Sequence, residues 1–470
     1  MAHHHSQFQK EIFKNIKDGE GHTIVIARAG VGKTYSLIEG FKYVPKGLTV
    51  LAVAFNKSIA QELAEKAPSY IDTSTLHSLG FKAIKNKFGK VIVSPDKTKD
   101  IIIEILKSKG LEKKIDLQFS LDRAVSLCKN YLIESPSKID ELLDDFGIDV
   151  CSFDRDEFIK EVIHILMLCK SDTSKVDYND MIWFPFVFNL SVGKWDRIFI
   201  DEVQDLNAAQ IHMCMSAAKN NTRIFALGDN FQALYGWRGA ERDLIFKLQK
   251  KLNAKILLLP ITYRCAKNIV KLAREFAPDY QYAPNAKDGE IHYIKDAQLL
   301  KLIKPGDFVL SRTNAPLIKY CLAAIKENIP ANIAGRDVAA GLIYLLRASK
   351  KKTVDSFLKW LENWESVEIK RLTEKKRDIS VLLDKMECLR NLCDGNSSVD
   401  KVIDKINLLF KETEDNPQVI FSTVHRAKGL ERDRCFLLNW TFNSSSQEEK
   451  NIKYVAITRA KNEVFFVSKS

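Results

Sequence analysis

Short apolar runs of strand length, separated by stretches of helical character, recur along this chain, and that alternation narrows the fold more than any other feature. Thr23–Ala27 (TIVIA), Leu48–Phe55 (LTVLAVAF), Arg197–Glu202 (RIFIDE), Arg223–Asp229 (RIFALGD) and Lys255–Pro260 (KILLLP) form a first series. Runs with little polar alternation suit strands buried on both faces, and therefore a parallel sheet covered by helices. A second series follows: Asp307–Arg312 (DFVLSR), Gln418–His425 (QVIFSTVH), Arg434–Trp440 (RCFLLNW) and Glu463–Ser468 (EVFFVS). The expected class is α/β with two parallel sheets. Two stretches break the alternation. Residues 96–175 and 341–414 lack strand runs and read as helical with Lys-rich faces. Their charge runs fit solvated helix faces, or else phosphate contacts.

The chain has 470 residues and a net charge of +12. That length accommodates roughly two to four domains with cores of their own. The charge fits a polyanionic partner such as nucleic acid, and equally a dispersed basic surface, so charge alone leaves both open. Nine scattered cysteines argue against a disulfide framework and for reduced thiols in a cytosolic or nuclear compartment. No apolar run reaches the ~18 residues of a membrane helix. The start, MAHHHSQFQKEIF, lacks the apolar centre of a secretory signal. No membrane partner is expected.

The segment ARAGVGKTYS (Ala27–Ser36) follows the first strand and opens a helix. Here Ala29, Gly30, Val31 and Gly32 can curl backbone N–H groups around phosphate oxygens at a helix N-terminus. Lys33 would reach the β- and γ-phosphates of ATP, and the Thr34 hydroxyl would hold Mg²⁺. Ala27 stands where the usual phosphate-loop pattern has its first glycine, so a plain strand–turn–helix is the competing reading. FIDEVQDL (Phe199–Leu206) places two adjacent carboxylates just past a buried strand. Asp201 suits ordering Mg²⁺ through water, and Glu202 suits deprotonating an attacking water. In isolation the pair could be a helix N-cap; together with the loop it points to nucleotide hydrolysis.

A third segment, GDNFQALYGWRGA (Gly228–Ala240), sets Gln232 five residues before Trp237. A buried strand would not hold Gln, Asn and Arg this way, and an exposed loop rarely holds Tyr and Trp.

In their order along the chain these segments resemble the motifs of the UvrD/Rep/PcrA-type helicases of superfamily 1A, in a short form nearest the F-box or viral branches. SQFQKEI resembles the N-terminal glutamine motif, which makes Gln9 the adenine reader. The family's own phosphate loop tolerates alanine at the first position. Tyr35 follows that loop where the family often has Arg. VAFNKSIAQEL resembles a DNA-contacting motif through Asn56 and Lys57, with Phe55 in place of the common Thr. TSTLHSLGF places His77 near DNA. DYNDMI (Asp177–Ile182) resembles the segment that re-enters the first domain after its insertion.

The resemblance also answers what the third segment is for. It implies that Gln232 senses the γ-phosphate and that Trp237 stacks on a base, with Tyr235 and Arg238 beside the same strand. ITYRC implies Tyr263 on adenine and Arg264 on the γ-phosphate. STVHRAKGLE implies Thr423 and His425 on DNA and Glu431 on the ribose. YVAITRAK implies Arg459 as a second arginine finger. The implied layout is two RecA-like domains, residues 1–95 with 176–260 and residues 261–340 with 415–470, each carrying a small helical insertion, 96–175 and 341–414. The implied activity is ATP- and Mg²⁺-dependent 3′→5′ movement on single-stranded DNA, coupled to strand separation at single-strand/duplex junctions. An ATPase that strips proteins from DNA without unwinding, and an RNA-directed relative, are the alternatives.

Overall fold

The computed structural model describes residues 5–470 except 55, 113, 149, 151–152, 235–243, 375–378, 412–416 and 444. The chain divides into two compact units. One comprises residues 1–28 and 32–260, and the other comprises 29–31 and 261–470.

In the first unit the strands are β1 (Thr23–Ala27), β2 (Val50–Ala54), β3 (Ile71–Thr75), β4 (Trp195–Ile200), β5 (Ala218–Gly228) and β6 (Lys255–Leu259). They form one sheet in the order β3-β2-β4-β5-β1-β6, every pair parallel. Successive side chains in a strand face opposite ways. Ile198, Ile200, Ile224 and Ala226 therefore join Leu51 and Val53 in one apolar layer. Phe199 stacks on Phe225 and meets Phe41 edge-on in the other. Parallel order sends the C-terminal ends of all six strands to a single rim, where ligands of such sheets bind.

The first insertion is four helices, Lys97–Ser108, Ile115–Tyr131, Pro136–Asp145 and Arg155–Ser171. They enclose their own core around Ile102, Leu106, Leu121, Ile139, Phe158 and Val162. A two-residue ladder of Ile92–Val93 with Lys175–Val176 ties its entry to its exit. Beside that base lies a buried knot of charge. Lys97 Nζ is 2.8 Å from Asp180 Oδ2, and Lys129 Nζ lies 2.7 Å from Asp180 Oδ1 and 3.2 Å from Asp177 Oδ2. Two ammoniums against two carboxylates leave no net buried charge. Burial pulls the Lys129 pKa down, but the Asp180 and Asp177 carboxylates outweigh it and hold it above the usual value.

The second unit has β7 (Glu290–Lys295), β8 (Phe308–Ser311), β9 (Ala331–Ile333), β10 (Val419–Thr423), β11 (Arg432–Leu438) and β12 (Ala460–Ser468). Their order is β7-β12-β11-β8-β10-β9, again all parallel. The helices Arg336–Ala348, Val354–Glu374, Ser380–Cys393 and Val399–Leu409 form the second insertion. Their Leu346, Phe357, Met386 and Ile406 share one core with Val419, Phe421 and Phe436 of the sheet.

The α/β class expected from the sequence is present. β3, β7 and β9 are additions to it, and all three lie at or next to a sheet edge. Among the described residues no helix is long and apolar enough to cross a membrane, and the eight described cysteines are unpaired and buried.

Candidate nucleotide and nucleic-acid site

The loop after β1 turns on two glycines in left-handed backbone, Gly30 (φ 66°) and Gly32 (φ 76°). Residues with a Cβ rarely adopt that conformation. Gly32 caps the helix Lys33–Phe41 without any side-chain bond, so its first backbone N–H groups keep their anion-binding capacity. Lys33 Nζ sits 2.7 Å from Glu202 Oε1. Burial alone would lower the Lys33 pKa; Glu202, Asp201 and Asp229 outweigh it, and the ammonium stands above its usual value. Thr34 is half-buried and Tyr35 exposed.

β4 ends at Ile200, which delivers Asp201 and Glu202 to the same rim. Asp201 is buried, and its Oδ1 accepts from Glu202 N at 2.9 Å. Burial first, and the Glu202 charge second, push the Asp201 carboxyl up to about 7 against the pull of Lys33. Glu202 itself has φ 50°. Its Oε2 accepts from Gln204 Nε2 at 2.6 Å.

The end of β5 brings Gln232 to this rim, on a single 3₁₀ turn, Asn230–Gln232. Gln232 Nε2 donates to Asp229 Oδ2 at 2.8 Å, and Asp229 Oδ1 pairs with Arg28 Nη1 at 2.9 Å. Gln204 Oε1 accepts from Asp229 N at 3.0 Å. Sequence reasoning missed Arg28, Gln204 and Asp229. The Gly-Asp pair ending an apolar run and the arginine inside the phosphate loop were the available signals.

Gln9 is buried on the helix Gln7–Asp18. Its Oε1 accepts from Ser6 N at 2.9 Å, and its Nε2 donates to Ser36 Oγ at 3.1 Å. Its amide thus closes a capping box as well as bracing the helix that Lys33 opens.

In the second unit Arg264 follows the short strand Ile261–Thr262 and pairs with Glu431, which also meets Lys461 Nζ at 3.0 Å. Burial raises the Glu431 pKa, and Arg264 and Lys461 bring it below the usual value. Tyr263 is exposed. Arg459 is 1% exposed and lies between the helix Gln447–Ile457 and β12. Its Nε and Nη1 donate to the carbonyls of Val455 and Leu430 at 3.0 and 3.1 Å. Its Nη2 has no hydrogen-bond partner among the described residues. Burial, then the Arg264 charge, holds its pKa down to about 10. Arg459 and Glu431 immediately precede β12 and β11. They therefore lie at the N-terminal rim of this sheet, whereas Thr423 ends β10 and His425 follows it, at the opposite rim.

The other nucleic-acid candidates of the first unit follow strand ends. Asn56, after β2, caps the helix Lys57–Lys66 through a bond from Ile59 N at 2.9 Å. His77, after β3, is half-buried against Tyr178, and burial lowers its pKa. Phe55, Tyr235, Trp237 and Arg238 lie outside the described residues.

Residues 8–253 match the UvrD/REP helicase N-terminal domain, and residues 346–470 match the UvrD-like helicase C-terminal domain. The chain is 24% identical over 371 residues to the ATP-dependent DNA helicase PcrA of Staphylococcus aureus (strain NCTC 8325), covering 68% of this chain and 50% of that one. It is 25% identical over 371 residues, with the same coverage, to PcrA of Staphylococcus epidermidis (strain ATCC 12228). The chain thus spans about half the length of these curated relatives.

Proposed function

Because the chain belongs to the UvrD/REP helicase family, we propose that it hydrolyses ATP with Mg²⁺ to move along single-stranded DNA in the 3′→5′ direction and to separate strands at junctions. The observation that carries this reading is the grouping at one rim of Lys33, Glu202 and Asp201, with the Asp201 carboxyl up to about 7. Such a cluster suits a polyphosphate and a divalent cation.

The residues fit both. Two left-handed glycines precede a helix whose end is left open to an anion. Asp201 carries a carboxylate whose charge burial disfavours, and a cation beside it would offset that. Asp201 and Thr34 would hold Mg²⁺. Bound Mg²⁺ would neutralise charge between the β- and γ-phosphates. A polyphosphate offers Lys33 a denser anion than Glu202 does. Glu202, released from that pair, accepts a proton from the attacking water. We assign to Arg264 and to Nη2 of Arg459 the task of countering charge on the γ-phosphate. Tyr263 and Gln9 would hold the adenine and Glu431 the ribose. Asn56, His77, Thr423 and His425, with Phe55, Tyr235, Trp237 and Arg238, would line the DNA track. Buried reduced thiols suit an intracellular site of action.

A second reading is an ATPase that strips proteins from DNA without separating strands. The second insertion favours it, because its helices share a core with their sheet rather than forming a separate arm. Duplexes bearing 3′ or 5′ single-stranded tails test both readings. ATP-driven strand release from the 3′-tailed duplex is expected. DNA-stimulated hydrolysis without release selects the stripping ATPase. Stimulation by RNA but not DNA oligomers moves the assignment to RNA.

A further inference from the structure

We propose that Arg28 is a positioning residue for nucleotide hydrolysis, acting through Asp229 to fix the side-chain amide of Gln232. The inference rests on the ATPase reading above and refines it. Arg28 occupies the second position of the phosphate loop, yet its side chain turns into the unit and is only 8% exposed. Its Nη1 donates to Asp229 Oδ1 and to Asn230 Oδ1, both at 2.9 Å, and its guanidinium lies 4.6 Å from the centre of the Phe231 ring. Three consecutive residues of the turn that carries Gln232 are thus held by one side chain 201 residues away.

Asp229 is fully buried. A buried carboxylate needs a cation, and Arg28 supplies it. With its charge balanced, Asp229 can serve the turn with both oxygens. Oδ1 also accepts from Phe231 N at 3.2 Å, which caps the turn, and Oδ2 accepts from Gln232 Nε2 at 2.8 Å. Committing Nε2 to Asp229 sets which way the amide faces, so the Gln232 carbonyl oxygen points away from Asp229. A carbonyl oxygen accepts hydrogen bonds, the property needed to orient an attacking water. The same carboxylate residue reaches the catalytic pair through its backbone: Asp229 N donates to Gln204 Oε1, and Gln204 Nε2 donates to Glu202 Oε2. Arg28 therefore aligns the sensor through one buried anion, without itself needing to touch phosphate.

A double-mutant cycle of Arg28→Gln and Gln232→Ala tests this, read as kcat for hydrolysis stimulated by single-stranded DNA and as Kd for a fluorescent ATP analogue. Arg28→Gln is expected to lower kcat roughly tenfold or more while Kd shifts less than about threefold. The double variant should be no slower than Gln232→Ala alone. Losses that multiply, or a weakened Kd that accounts for the whole loss, overturn the proposal. Arg28→Lys, which keeps a cation beside Asp229, should recover part of kcat, and no recovery counts against it. If Arg28→Gln does not fold, Asp229→Asn replaces it in the cycle with the same expectations, since it keeps the side-chain shape and removes the charge. A parent protein without hydrolysis would condemn the ATPase reading separately. The linkage is then read from the side-chain amide resonances of ¹⁵N-glutamine-labelled protein. Faster exchange of the Gln232 amide in the Arg28 variant supports it, and an unchanged signal overturns it.

Discussion

Glu202 combines a left-handed backbone with a side chain shared between Lys33 and Gln204. For a residue with a Cβ that conformation costs about 1–2 kcal/mol, and strain of this kind concentrates at functional sites. It turns the carboxylate from the end of β4 toward Lys33. Lys33→Ala should abolish ATP hydrolysis, because the polyphosphate loses its cation; phosphate-release assays that find normal turnover would reject the site. Glu202→Gln should keep nucleotide affinity and reduce kcat by about 100-fold or more, since an amide cannot take the proton. Equal binding and equal turnover would remove Glu202 from the chemistry. Trp237→Ala should reduce DNA-stimulated hydrolysis well below its effect on basal hydrolysis, as base stacking contributes roughly 1–3 kcal/mol per base. Matching losses in the two rates would mark that ring as a core anchor. Lys33, Asp201 and Glu202 were legible because each lies in a short local pattern. Arg28 was not, because its partners Asp229 and Asn230 are distant in sequence and meet it only once β1 and β5 pair.

At the level of elements, the helix Leu76–Phe88 lies so close to the helix Tyr178–Val187 that a Cβ on Gly80 would stand 1.8 Å from the Met181 carbonyl oxygen. Backbone cannot yield that far, so Gly80→Ala should cost about 1–3 kcal/mol or more in urea unfolding; an unchanged midpoint would show that the helices slide apart freely. Asp180→Asn removes one of two carboxylates from the knot at the base of the first insertion and leaves an excess buried cation. Breaking such a pair costs about 3–5 kcal/mol, and urea unfolding should register it. The apolar runs disclosed the inner strands, because both faces of those strands are covered. They did not disclose β3, with Asp72, Thr73, Ser74 and Thr75, or β7, whose Tyr293 is 77% exposed. Strands at a sheet margin need fewer apolar residues, so composition leaves them looking like loop.

For the whole molecule, a net charge of +12 suits long-range attraction to a phosphate backbone, which salt screens. Affinity for a single-stranded oligomer should fall linearly on a logarithmic plot against salt, by about 0.7 per phosphate neutralised. A flat plot would leave stacking alone to hold the strand. Fold class could be read at this scale because two series of buried strands need two sheets. The second insertion sharing a core with its sheet could not, since a helical pattern does not say which apolar face it meets.

The parallel order of the first sheet has a practical side. Lys33, Asp201 and Gln232 all issue from one rim, whereas Lys46 is exposed and enters β2 from the other. The eight described native thiols are shut away from solvent. A cysteine introduced at Lys46 therefore gives a maleimide dye an accessible address for which those thiols do not compete, remote from the chemistry, from which single molecules can be followed by fluorescence.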